Sequence, residues 1–254
     1  MLTKNELKYY SSLLRKKNRI AERKFIAEGK RLIGEALKSD FEIEIVFFAD
    51  EFIEAEKSFS ERIKKKRIRA ETVNHAELKR LTDTKTPQGI AAVLRMPEET
   101  KPDFNSKFIL AVENVSDPGN LGTLFRSASW FGISDILLSA DCAEPFNPKV
   151  VRASMGAIFN LNISVGNSFI ETLTSFRQKG YSILTADMKG ENVFKFNPSK
   201  KIILALANEA DGPSRELLSI TNEKISIPLL GKGESLNVAV AGSIIMSIIS
   251  HGLI

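Results

Sequence analysis

The residues best equipped to do chemistry lie in three polar loops in the second half of a 254-residue chain, each following an apolar run. The first loop is Glu113-Asn-Val-Ser-Asp-Pro-Gly-Asn120, and the helical pattern after it carries Arg126. Asp117-Pro-Gly-Asn120 is ordinary turn chemistry, and Asn120 can cap the helix that follows. Arg126 is not explained that way. It stands among Leu121, Leu124, Phe125, Ala128, Trp130 and Phe131, where an unpaired charge would be costly, so its planar fork of donors calls for a phosphate or carboxylate. The second loop, Ala207-Asn-Glu-Ala-Asp-Gly212, puts Glu209 at a strand end just before a helix start at Pro213. A carboxylate there either orients a ligand or stabilises the helix N-terminus. The third, Ile227-Pro-Leu-Leu-Gly-Lys-Gly-Glu-Ser-Leu-Asn237, has two glycines that permit close backbone approach and two side chains, Ser235 and Asn237, able to donate and accept. A Ser or Asn cap on a buried helix is the plainer explanation of that pair.

No G-x-x-x-x-G-K-[ST], G-x-G-x-x-G or G-x-S-x-G signature is present. Cys142 is the only cysteine, and His75 and His251 are far apart, so neither disulfides nor a metal site is expected. The longest apolar stretch, Val238 to Ile249, is well short of the roughly 18 to 20 residues that span a bilayer. With no signal-peptide core at the N-terminus, a cytoplasmic protein is expected.

These loops need elements to hold them. Apolar runs bounded by turn residues predict buried parallel strands at 108–112, 135–138, 161–165, 181–184, 201–206 and 225–227, with helices at 120–131, 148–155, 168–179, 213–218 and 237–250 between them. Ligands of such sheets bind at the carboxyl ends of the strands. The first part of the chain reads as a smaller α/β unit. It has helical spacing from Asn5 to Lys38, interrupted by a strand or turn near Phe25 to Gly29, then strands at 43–48, 68–73 and 89–95 and helices at 51–66 and 75–81. The boundaries are 1–96 for this domain, 97–106 for a linker with two prolines, and 107–254 for the larger domain. The C-terminal helix is apolar on every side, which suits a two-fold interface.

Charge divides along the same line. Residues 1–100 hold 22 basic and 17 acidic side chains, whereas the rest hold 14 of each. Ten Lys/Arg fall within residues 1–31, and a second cluster runs from Arg62 to Arg69. Two dense clusters beside a neutral domain point to a polyanion partner, nucleic acid above all.

Taken together, the three loops resemble the motifs of the SpoU (TrmH-like) family of RNA ribose 2'-O-methyltransferases in the SPOUT superfamily. Asn114, Asp117, Pro118, Asn120, Gly122 and Arg126 match the first motif; Ala207 to Gly212 match the second, with Ala207 and Ala210 at usual glycine positions; Ile227 to Gly231 and Ser235 to Val238 match the third. Arg152-Ala-Ser-Met-Gly156 matches a further family segment, and residues 25–32 with 86–93 resemble its L30e-like substrate-binding domain. The resemblance implies a C-terminal parallel-sheet α/β domain with a trefoil knot, a smaller L30e-like α/β domain, a homodimer, and S-adenosylmethionine as cofactor with no metal. It implies catalytic roles for Asn120, Arg126, Glu209, Ser235 and Asn237, and cofactor contacts at Ala207, Gly212, Ile227, Leu229 and Leu236. Arg15, Lys16, Lys17, Arg19, Arg23, Lys30, Arg152 and Ser154 are the candidate RNA contacts. The implied substrate is RNA and not DNA, with 23S ribosomal RNA favoured. A tRNA ribose methyltransferase, a base methyltransferase of the same superfamily and a non-catalytic RNA-binding protein are the alternatives.

Overall fold

The computed structural model describes residues 2–98, 105–166, 168–198 and 201–253. Residues 99–104 of the expected linker lie outside the described residues. The chain forms two compact units, one of residues 1–98 with 144–159 and the other of 99–143 with 160–254.

The first unit contains α1 (Lys4–Ser12), α2 (Lys16–Glu22), β1 (Lys24–Glu28), α3 (Lys30–Ala36), β2 (Ile43–Phe48), α4 (Asp50–Ala55), α5 (Lys57–Lys65), β3 (Arg69–Thr72), α6 (His75–Leu81) and β4 (Ile90–Arg95). Its sheet order is β1-β4-β2-β3, with β4 antiparallel to both neighbours and β3 parallel to β2. Local signals set the helix starts: Thr3 with Glu6 and Asn74 with Glu77 each form a complete capping box. The single helix expected over 51–66 is two, because Glu56 leaves helical geometry (φ −126°, ψ 47°) and its carbonyl starts α5 by accepting from Ser60 N.

The second unit contains β5 (Phe108–Glu113), α7 (Pro118–Trp130), β6 (Asp135–Ser139), β7 (Asn162–Gly166), α9 (Phe169–Gln178), β8 (Ser182–Asn192), β9 (Ile202–Ala207), α10 (Arg215–Ile220), β10 (Glu223–Ser226) and α11 (Val238–Gly252). Its six strands run parallel in the order β10-β8-β9-β5-β6-β7. Central strands are buried on both faces, which is why they read as unbroken apolar runs. Ile109, Ala111, Ile203 and Ala205 pack with Phe169, Leu173, Phe176 and Leu217. On the other face α11 closes tightly on the sheet and on α7, since a Cβ at Gly242 would lie 2.5 Å from Leu206 and 2.7 Å from Leu124.

Strand β8 extends well beyond the expected Leu184, because Glu191 and Asn192 pair with Ile225 and Ser226 of β10 after a register shift. That polar stretch has no hydrophobic signature. The two backbones approach so closely that a Cβ on Gly190 would meet Ile225 N at 2.5 Å, so only glycine fits.

Residues 144–159, which include α8 (Pro148–Ala153), lie within the sequence range of the larger domain but belong to the first compact unit. Side chains account for this. Phe146 and Phe159 join Phe25 and Phe41 in one aromatic cluster. The Arg19 guanidinium donates to Glu144 Oε2 (Nε at 2.9 Å) and to the carbonyls of Leu13 and Leu14 at 3.0 and 2.7 Å.

Candidate active site

Strand β5 delivers the first loop at its carboxyl end. Asn114 adopts a left-handed conformation (φ 55°), its N–H donating to Ser139 Oγ at 2.9 Å while its Oδ1 accepts from the same hydroxyl at 3.0 Å. The cap of α7 is Asp117, not Asn120: its side chain accepts from Asn120 N at 2.9 Å, and Pro118 occupies the first turn. Asn120 therefore keeps its side chain for other partners.

Those partners come from the other two loops. Asn120 Nδ2 donates to Glu209 Oε1 at 3.3 Å, and Asn237 Nδ2 donates to Asn120 Oδ1 at 2.9 Å and to Glu209 Oε1 at 3.1 Å. The same Glu209 oxygen accepts Val238 N at 2.9 Å. Asn237 also caps α11, its Oδ1 accepting from Ala239 N and Val240 N. One carboxylate oxygen at a helix N-terminus thus ties three loops that are remote in sequence, a favourable place for negative charge.

Beside this knot of hydrogen bonds opens a pocket of about 590 Å³, within the usual size range of small-molecule sites. Ala207, Gly212, Ile227, Leu229 and Leu236, the five candidate cofactor contacts, all line it, with Glu209 and Ser235. Leu206, Ile225, Val238 and Ile245 supply apolar wall. Among the described residues, no hydrogen bond is formed by the backbone of residues 227–236, so a ligand held by main-chain groups would find donors and acceptors unused. That combination fits an adenosine-bearing cofactor. Neither Ala207 nor Ala210 has a positive φ, so alanine at those glycine positions carries no left-handed strain. Gly212 does turn left-handed (φ 67°).

Two loop contacts had no signal in the residue pattern. Buried Glu113 accepts from Ser214 N at 2.8 Å and Ser214 Oγ at 2.6 Å, and its carbonyl accepts Asn208 N at 3.2 Å. Asp187, on the pocket wall, accepts from Lys189 N and Lys224 Nζ, both at 2.9 Å. The Lys189 amide, then the Lys224 ammonium, holds its carboxyl below the ordinary aspartate range.

Several expected placements are corrected. Arg126 is exposed on α7 with Thr123 and Trp130 while Leu121, Leu124, Phe125 and Ala128 face inward; helical period spares it the burial that its neighbours' apolar character suggested. Its side chain has no hydrogen-bond or ion-pair partner among the described residues. In the first unit, Arg19 is 1% exposed and is consumed by Glu144 and two carbonyls, which removes it as an RNA contact. Ser154 is fully buried and donates to Val151 O, so it too is withdrawn. Arg152 is half-buried against Asp83, whereas Arg15, Lys16, Lys17, Arg23 and Lys30 are exposed. No group of three or more His, Cys, Asp or Glu among the described residues could hold a metal ion, and no helix there is long and apolar enough to cross a membrane.

Comparison with known proteins identifies the family and the fold. Residues 107–247 match the SpoU rRNA methylase family, and residues 4–92 match the MRM3-like substrate binding domain. The chain is 33% identical over 244 residues to the 23S rRNA (guanosine(2553)-2'-O)-methyltransferase RlmP of Bacillus subtilis, covering 95% of this chain and 94% of that one. Among solved structures, a TrmH-family protein from Porphyromonas gingivalis superposes with a TM-score of 0.86 at 31% identity, covering 98% of both chains. An AdoMet-bound rRNA methyltransferase from Sinorhizobium meliloti gives 0.84 at 25% identity, covering 100% of this chain and 98% of that one.

Proposed function

The chain belongs to the SpoU rRNA methylase family, and from that membership we propose that it transfers the methyl group of S-adenosylmethionine to a ribose 2'-hydroxyl of ribosomal RNA. The observation that carries this reading is the joining of Asn120, Glu209 and Asn237 at the edge of a pocket lined by the second and third loops. The likeness to a 23S ribosomal RNA ribose methyltransferase over nearly the full length of both chains favours ribosomal RNA over tRNA.

When bound, S-adenosylmethionine supplies an electrophilic methyl on a positively charged sulfur. The chain's own residues then have three tasks. Main-chain groups of residues 227–236 and the end of β9 would hold the adenosine in the partly apolar pocket. Asn120 and Asn237, locked by Glu209, fix the pocket edge so that the target ribose is presented in line for attack. Arg126 binds the phosphate next to that ribose and favours loss of the poorly acidic 2'-hydroxyl proton by stabilising the developing alkoxide. Ser235, exposed on the pocket lining, contacts the ribose.

The reading includes a homodimer, a trefoil knot in the second unit and a cytoplasmic location. Supporting the dimer, Trp130 is 83% exposed and Val240 48% exposed, unusual for apolar side chains on α7 and α11. Pairing through that face would also bring Arg126, which shares the exposed side of α7 with Trp130, against a second copy.

Alkaline cleavage tests the reaction, because a methyl on the 2'-oxygen removes the nucleophile that cuts the adjacent phosphodiester. Wild-type protein with S-adenosylmethionine and ribosomal RNA should leave one gap in the ladder, and chelation of divalent metal should not abolish it while the RNA stays folded. Methyl label entering RNA without a gap would mean base methylation.

A further inference from the structure

Lys30, at the end of the first basic cluster, and the second cluster, some thirty residues further along the sequence, meet on one face of the first unit. Helices α3 and α5 lie side by side, a Cβ at Gly34 of α3 falling 3.7 Å from the Phe59 ring of α5. At one end of the seam, Lys30 Nζ and the Arg62 guanidinium lie 6.0 and 5.4 Å from the centroid of that ring. At the other end, Lys66 Nζ donates to Leu37 O at 2.9 Å, just past α3. Cations from both clusters therefore border one surface, although like charges repel when brought together.

Neutralisation is sparse. Residues 57–69 hold seven Lys/Arg against one Glu. Lys30 is paired with Glu56, and Arg69 with Glu6 and Glu71. Arg62, Lys64, Lys65 and Arg67 are exposed, and their side chains have no hydrogen-bond or ion-pair partner among the described residues. Cations at the end of α5 do suit the helix dipole, but that amounts to about half an elementary charge, too little to account for four.

We propose that the α3–α5 face is a docking surface for the phosphate backbone of the substrate RNA, separate from the pocket residues. The inference rests on the RNA-methylating reading above. The surface chemistry selects this partner. No large apolar side chain is exposed on α3 or α5, and Ile20 is the only one in the first unit among the described residues. The face thus has neither the aromatic or apolar anchors that dominate protein interfaces nor the apolar side that beds a helix into a bilayer. Charge without anchors suits a polyelectrolyte, whose binding draws on counterion release.

The test uses full-length protein and a 23S ribosomal RNA transcript, with affinity measured from about 50 to 300 mM salt. Replacing Arg62, Lys64, Lys65 and Arg67 by Ser should weaken binding at least tenfold near 100 mM salt and flatten the log-log slope by about two to four. S-adenosylhomocysteine affinity and melting temperature should stay unchanged, and a four-lysine variant should keep the wild-type slope. A Ser variant with the wild-type slope would overturn the proposal, as would a Lys16→Ser/Lys17→Ser variant that removed all the salt dependence. Tighter binding of polyglutamate, or of vesicles rich in anionic lipid, than of the transcript would also overturn it. Wild-type protein that bound S-adenosylhomocysteine but no RNA would refute the RNA reading itself, and this proposal with it.

Discussion

The Glu113 carboxylate grips both the backbone N–H and the hydroxyl of Ser214, 101 residues away. Because the Glu113 carbonyl also accepts Asn208 N, this one residue holds both ends of the second loop, and Ser214 in turn caps α10 through Leu217 N at 3.0 Å. Glu209 projects from the span between those anchors and gathers Asn120, Asn237 and Val238. The buried end of β5 thus sets the position of the carboxylate that ties the site together.

Glu113→Ala leaves the Ser214 N–H without its charged acceptor, so a loss of about 2–3 kcal/mol in stability is expected. S-adenosylhomocysteine affinity should fall as well, by about tenfold or more, because the loop lines the pocket. Glu113→Asp should restore stability before affinity, since a shorter carboxylate can still accept but draws the loop inward. Denaturant unfolding and calorimetry separate the two effects. Unchanged affinity in Glu113→Ala would mean the loop holds its shape without this anchor.

Arg126→Ala should abolish methyl transfer while leaving S-adenosylhomocysteine binding intact. The guanidinium is exposed on α7 and is absent from the pocket lining, so nothing in the cofactor site loses a contact. Calorimetry beside a labelled-methyl assay decides it; parallel loss of both functions would show that the arginine serves the pocket instead.

Strands β5, β6 and β9 were legible because burial on both faces writes an unbroken apolar run. The His75–Leu81 helix was legible too, its capping box lying beside its apolar positions. The second half of β8 was not: its pairing with β10 depends on a tight backbone approach at Gly190, not on side-chain character. Asn120, Glu209 and Asn237 stood out through motif resemblance, but their mutual hydrogen bonds required the fold. Glu113 stayed hidden because a strand-end carboxylate acquires its role only from a serine that arrives much later in the chain. Arg19 misled for the opposite reason. It sits in a basic run, but its partner Glu144 is 125 residues distant.

The Arg19 correction has a stability consequence. Arg19→Ala would leave the largely covered Glu144 carboxylate without its counter-charge and two carbonyls without donors, a cost of about 3–5 kcal/mol. Lys16→Ala, three residues away and exposed, should stay within about 0.5 kcal/mol. Urea unfolding measures both, and equal effects would contradict the burial of Arg19.

Helix α11 carries both a buried side and an exposed apolar stripe, the stripe being where the proposed dimer contact would lie. Val238, Ile245, Met246 and Ile249 are buried within the chain, whereas Val240 is exposed and Ile244 and Ile248 partly so, a stripe spaced four residues apart. Val240→Asp with Ile244→Asp should therefore yield a folded monomer in sizing and light-scattering experiments. Met246→Asp should instead prevent folding, since it buries a charge with no partner. A wild-type monomer would refute the proposed dimer, and a double variant that remained dimeric would place its contact elsewhere.

Asp187 gives the pocket wall a dependence on acid. Its carboxyl titrates below the ordinary value of 3.8, because the ionised form accepts from Lys189 N and Lys224 Nζ. A carboxyl lowered in the folded state binds protons more readily when unfolded. Its contribution is therefore complete above pH 3.8 and disappears as pH falls through the lower folded value. With Lys224 42% exposed, solvent screening limits the contribution to about 1 kcal/mol. Asp187→Asn should thus be less stable than wild type by about that amount at pH 7, and the difference should shrink toward pH 3. Because Asp187 lines the pocket, the same variant should also bind S-adenosylhomocysteine more weakly at pH 7. Urea unfolding at the two pH values measures the first effect, and a gap that widened on acidification would show that the Asp187–Lys224 pair is not what the mutation removed.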